Sequence, residues 1–301
     1  MKYAFSTLGV PGTPLDRSAA LAAAHGFDGL ELRAHPEEPL HPDSPGAERA
    51  AGVRLLDRAG VTVVGVAGYA QVAAAGDDGP VLERLRGLIR LATDLHAPYV
   101  RVFPGGAELP EAKADDHAVR RLTAAAPLAE RCGVRILLET HDSHRTGTAV
   151  ARVLDRVAHP GVGALWDVLH TWLGGETPDE SRRVLGAHLG YTQVKDVVSA
   201  QDLTPLGLGT GVLPLAEAVA AARPDDWLCW EYEKRWYPDA AELAGRLTRG
   251  REYLEHLERS AEGPARVVEP GKGVPGLRGP DRTGRESAGP RSGCRGPPGV
   301  R

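Results

Sequence analysis

RILLETHD, residues 135–142, is an apolar run that stops at an acid, Glu139, and GALWDVLH, residues 163–170, repeats the pattern and stops at Asp167. GYTQVKD (190–196) does the same with Gln193, Lys195 and Asp196, and WLCWEYE (227–233) with Glu231 and Glu233. Short apolar runs of this kind read as strands covered on both faces. Working outward, further strands are expected at 3–8, 29–33, 61–66 and 99–103. Helices with an apolar stripe opposite charged residues are expected at 49–59, 81–95, 116–131, 148–157 and 239–257. Gly26, Gly60 and Gly133 stand just before strands, as left-handed helix stops, and Pro238 is expected in the first turn of the last helix.

Strand–helix units recurring about every 30 residues predict a single-domain parallel (β/α)8 TIM barrel over residues 1–260. An open doubly wound sheet fits less well, because no glycine-rich dinucleotide turn follows the first strand. GLGTG at 207–211 follows the seventh strand instead. From residue 261 to 301 Gly, Pro and Arg dominate without hydrophobic periodicity, which predicts a disordered tail.

Charge divides along the same line. After Ser260 there are eight Arg or Lys and four acids, so the tail carries +4; the total of −4 leaves −8 on the body. An acidic body argues against a nucleic-acid partner. Three cysteines (Cys132, Cys229, Cys294), far apart and odd in number, fit a reducing compartment and a cytoplasmic location. No signal peptide and no membrane-length apolar segment is read from the chain.

In a parallel barrel, chemistry gathers at the strands' carboxyl ends. Side chains alternate along a strand, so Gln193 shares a face with Lys195, Glu231 with Glu233, and Glu139 with His141. Converging buried carboxylates repel one another, and a divalent cation is one way to relieve them. The competing reading, in which each acid only pairs locally or caps a helix, is weaker for three acids in strands 5, 6 and 8.

The ordered set ETHD, WDVLH, QVKD and WEYE, with FSTLG (5–9) and HGFDGLELR (25–33), resembles the xylose isomerase-like barrels. This superfamily includes sugar phosphate isomerases/epimerases and type 2 AP endonucleases, and the resemblance spans roughly residues 1–257. It implies one divalent metal ion bound by Glu139, Asp167, Gln193 and Glu231. Gln193 is a departure, because the family usually has His there; an all-oxygen set favours Mn²⁺ or Mg²⁺ over Co²⁺ or Zn²⁺. His188, five residues earlier, is expected to be structural or exposed. The resemblance further implies a metal-dependent sugar or sugar phosphate isomerase/epimerase. Glu139 and Glu231 would be its acid/base pair, working through an enediolate, and His170 a substrate contact.

Glu31 and Arg101 are further candidates for reaching the substrate pocket, or for forming a buried structural pair. His141 is a candidate neighbour of the metal. Lys195 is a candidate substrate contact, with a Schiff base as a remote option. Trp166, Trp172, Trp230, Trp236 and Tyr237 are candidates to wall a sugar pocket or to fill core. Two other readings share the scaffold: a dehydratase of the inosose or dehydroshikimate type, and a non-catalytic barrel with a decayed metal site. A three-zinc DNA-repair endonuclease is set aside, because VAGYAQ (66–71), RVFPGG (101–106) and PLGLGTG (205–211) lack the histidines it needs. The expected partner is a small sugar- or polyol-derived molecule, with no membrane, and a homodimer is compatible with the family.

Overall fold

The computed structural model describes residues 1–261; the tail expected to be disordered lies outside the described residues. Eight strands close into a barrel in chain order, each parallel to its neighbours. They are β1 (Lys2–Ser6), β2 (Gly29–Arg33), β3 (Thr62–Gln71), β4 (Tyr99–Phe103), β5 (Arg135–Glu139), β6 (Val162–Asp167), β7 (Leu189–Val194) and β8 (Trp227–Trp230). The helices are α1 (Leu15–Ala24), α2 (Gly46–Ala59), α3 (Asp78–Asp94), α4 (Glu111–Arg131), α5 (Gly147–Val157), α6 (Val168–Leu173), α7 (Pro178–Leu185), α8 (Leu215–Ala221) and α9 (Leu247–Ala261).

Helix α5 shows how the sequence sets an element. Val150, Val153, Leu154 and Val157 fall on one face and are buried, each contributing roughly 1.5–3 kcal/mol relative to exposure. Thr146 opens the helix by accepting from the Ala149 N–H at 3.1 Å. Gly26, Gly60 and Gly133 have φ of 72°, 67° and 67°, so the glycine stops stand as read.

Strand alternation builds two cores. Ala4, Val64, Leu137, Leu165, Tyr191 and Cys229 fill the barrel interior. Ile136, Leu138, Ala164, Trp166, Leu228 and Trp230 point outward into the layer beneath the helices. Trp166 and Trp230 are therefore fully buried core residues, not walls of a sugar pocket.

Two further expectations change. β3 runs on to Gln71, continuing the apolar run VVGVAGYA past residue 66. The last helix begins at Leu247, not near Pro238. The Pro238 and Ala240 carbonyls accept from Lys234 Nζ, and the Ala241 carbonyl accepts from the Tyr232 hydroxyl, so they are not free for a helix. Among the described residues, no helix is long and apolar enough to cross a membrane.

Candidate functional site

Directly above the interior layer, the carboxyl ends of the strands bring Glu31, Arg101, Glu139, Asp167, Gln193, Lys195 and Glu231 together, all nearly or fully buried. Register supports this: Asp167 pairs with Gln193 across β6–β7, and Gln193 with Cys229 across β7–β8.

The centre of the cluster is an ammonium. Lys195 Nζ lies 2.8 Å from Asp167 Oδ2 and 2.8 Å from Glu233 Oε1, and it contacts Glu231 Oε2 directly. These three acids outweigh the burial that opposes its charge and hold its pKa well above the ordinary lysine value. Arg101 is the second cation. Its Nε stands 3.1 Å from Glu139 Oε2 and its Nη2 3.9 Å from Glu231 Oε1, so one guanidinium places its charge between the two glutamates. Gln193 donates from Nε2 to Glu31 Oε2 at 2.8 Å and to Glu231 Oε1 at 3.0 Å. Two carboxylates on that nitrogen require a donor there, which fixes the amide orientation. Tyr191 crosses the barrel to donate to Glu31 at 2.5 Å. Gly65 leaves room for it, because a Cβ there would lie 3.1 Å from the Tyr191 hydroxyl.

Five carboxylates (Glu31, Glu139, Asp167, Glu231, Glu233) face two fixed cations, a balance of −3 if all are ionised. The Glu139 carboxyl is pushed up to about 8 by burial, with Glu231 and Asp167 adding to the rise and Arg101 opposing it. Burial and then Glu231 also push Glu31 up.

Outside this cluster sit two histidines. The His141 and His170 rings pack at a tilt of 55° with centroids 3.9 Å apart, and Phe103 packs 4.6 Å from His141. Asp142 Oδ1 stands 2.8 Å from His141 Nδ1. Burial opposes the charge on His141, but Asp142 and Glu139 outweigh it and raise its pKa. His170 is held well below the ordinary value by burial, then by His141 and Lys195.

Two of the four donors implied by the family resemblance, Asp167 and Glu231, are thus held by an ammonium. An ion joining Asp167 to Glu231 would have to displace Lys195, and Gln193 turns its NH₂ group, not its oxygen, toward Glu231. Among the described residues, the group of three His, Cys, Asp or Glu side chains whose ligand atoms all lie within 4.8 Å of one another is Glu139, His141 and His170. Glu139, Asp167 and Glu231 do not form such a group. The four residues therefore do not fit a resident metal in the usual arrangement.

Two residues named in the sequence serve elsewhere. Asp196 accepts from the N–H groups of Val197, Gly209, Gly211 and Leu213, at 3.1, 3.0, 2.8 and 3.1 Å, and so shapes the GLGTG loop. His188 contacts Asp155 at 2.8 Å, away from the site. Tyr69 was missed: it accepts from Arg33 Nε at 2.8 Å, and its ring lies 5.6 Å from the Arg101 guanidinium. It helps line a cleft of about 860 Å³ with Arg33, Arg84 and the half-exposed Trp236. That cleft is lined by none of Arg101, Glu139, Asp167, Gln193, Lys195 and Glu231, so it stands beside the cluster.

No curated protein matches the chain. Solved structures do. A probable 3-DHS dehydratase, AsbF, involved in petrobactin synthesis in Bacillus anthracis, is 18% identical with a TM-score of 0.70, over 85% of this chain and 99% of that one. The IOLI protein, with a zinc atom bound, is 17% identical with a TM-score of 0.73, over 87% and 99%. D-psicose 3-epimerase from Clostridium cellulolyticum H10, solved with D-tagatose, is 17% identical with a TM-score of 0.71, over 87% and 99%. At these identities the likeness speaks for the fold. Residues 19–259 match the family described as xylose isomerase-like TIM barrel, and with that span the chain belongs to this family.

Proposed function

We propose that this barrel is an enzyme that removes a proton next to a carbonyl of a sugar- or polyol-derived substrate, as an isomerase or epimerase. The observation that carries this reading is Glu139–Arg101–Glu231: two buried carboxylates on either side of one guanidinium at the mouth. One carboxylate takes the proton and the other returns it to the opposite face or the adjacent carbon. Arg101 offers positive charge beside both carboxylates and beside the enediolate that forms. A carboxyl whose pKa lies near neutrality, as that of Glu139 does, is suited to moving a proton in either direction. His170 and Lys195 are proposed to meet substrate oxygens. Glu31 acts by orienting Gln193. The D-psicose epimerase among the structural neighbours is in keeping with this chemistry.

A second reading, a dehydratase, is favoured by one feature. The closely packed His141–His170 pair supplies acid/base groups beside Glu139 that an epimerase does not require, and such a group can protonate a departing hydroxyl. The dehydratase neighbour fits this reading. Proton NMR of the protein with ketoses, ketose phosphates and inososes separates the two. An epimer or aldose supports the first, and an unsaturated carbonyl product the second. Wild-type turnover that persists in Glu139→Gln and Glu231→Gln would sink both.

A further inference from the structure

The geometry points to a divalent transition-metal site on Glu139, His141 and His170, one step outward from the carboxylates the family resemblance designates. We propose that this chain binds its ion there, because Lys195 already serves as the cation of the inner cluster. The inference shares Glu139 and His170 with the reaction proposed above, and its test reads metal affinity, not turnover, so the two fail distinguishably.

Four observations support it. The ligand atoms of the three side chains lie within 4.8 Å of one another. Donors about 2.0–2.1 Å from a tetrahedral zinc stand roughly 3.3–3.4 Å apart, so shifts of about an ångström close the site. Glu139 Oε2 is buried on a residue only 1% exposed and accepts no hydrogen bond; its one close cation, Arg101 Nε, is 3.1 Å away without hydrogen-bond geometry. Asp142 Oδ1 stands 2.8 Å from His141 Nδ1, a carboxylate beside the imidazole of the kind that neighbours metal-bound histidines, while Nδ1 itself makes no hydrogen bond. The His141 and His170 side chains are 27% and 17% exposed, so the position is reachable from the mouth and keeps one side open.

Two imidazoles and a carboxylate with an open position are the donors of a catalytic zinc centre. This set selects Zn²⁺ or Co²⁺ over Mg²⁺, the reverse of what an all-oxygen set would select. The open position would take water or an oxygen-bearing substrate.

The test is metal binding by the full chain. Zn²⁺ affinity is measured by competition with a chromogenic chelator, and Co²⁺ by visible absorption, for wild type, His141→Gln, His170→Gln, Gln193→Ala and Asp167→Asn. Thermal melts check that each variant folds. The expected result is nitrogen-ligated Co²⁺ bands in wild type. Each His variant should lose on the order of 100-fold or more in Zn²⁺ affinity, while Gln193→Ala stays within about threefold. If Gln193→Ala or Asp167→Asn loses the ion and the His variants retain it, the ion sits in the inner cluster and the proposal is overturned. Absence of any Zn²⁺ or Co²⁺ binding at millimolar metal overturns it equally. If Asp167→Asn fails to fold, Gln193→Ala alone decides.

Discussion

Replacing Lys195 by Met removes the cation from between Asp167, Glu231 and Glu233 while keeping an unbranched apolar stem. Lys195, Asp167 and Glu231 are 2%, 0% and 5% exposed, so the change strands buried charge. Breaking a buried ion pair from one side costs about 3–5 kcal/mol. Three acids lose a partner here, but the stranded carboxylates can take up protons, which keeps the cost within that range. For a domain of this size each kcal/mol moves Tm by about 2–4 °C, so a fall of roughly 6–20 °C is expected at pH 7. Glu233→Gln is the control. Its side chain is 20% exposed and it loses one contact at the rim, so about 1 kcal/mol or less is expected. Differential scanning calorimetry of both variants decides. A Lys195→Met melt within about 2 °C of wild type, or no lower than Glu233→Gln, would show that Lys195 does not hold the cluster together.

Further expectations concern the scaffold. Asp78 bonds Arg120 and the fully buried Arg121, which hold its carboxyl well below the usual range. Its stabilising contribution is therefore complete above about pH 4 and is lost as pH falls through the lower folded-state value, so Asp78→Asn should flatten the acid limb of a stability–pH curve. The same variant should cost about 1–3 kcal/mol at pH 7, measured by urea unfolding, because Arg121 keeps the carbonyls of Val72, Ala74 and Gly76. Asp196→Ala frees four backbone N–H groups and should expose the 207–213 loop to limited proteolysis, with cleavage no faster than wild type as the contrary result. Gly65→Ala pushes on the Tyr191 hydroxyl and should cost about 1–3 kcal/mol by thermal melt.

The fold was readable because each barrel strand is an apolar run punctuated by glycine or an acid, and every predicted strand lies in or beside an observed one. Boundaries failed where side chains captured backbone carbonyls, as Lys234 and Tyr232 do before α9. At the mouth, alternation placed Glu139, Asp167, Gln193 and Glu231 on the inner face, but it does not say how far a side chain reaches. Lys195 was visible as a residue sharing the Gln193 face; that its ammonium fills the middle of the cluster follows from chain length and three-way geometry. The replacement of the family's usual His by Gln193 was the one sequence signal that the inner cluster departs from the family's pattern. The His141–His170 contact joins residues from two strand exits, and no local spacing encodes it.

Central to this account is proton abstraction at the Glu139–Arg101–Glu231 mouth. It is tested most directly by incubating the protein in D₂O with Zn²⁺ or Mn²⁺ and a panel of ketoses and inososes, and following deuterium into the carbon next to the carbonyl by NMR. Exchange in wild type that disappears in both Glu139→Gln and Glu231→Gln, with folding intact, is the predicted result. Exchange that continues unchanged in either variant, or no exchange with any substrate of the panel, would contradict it.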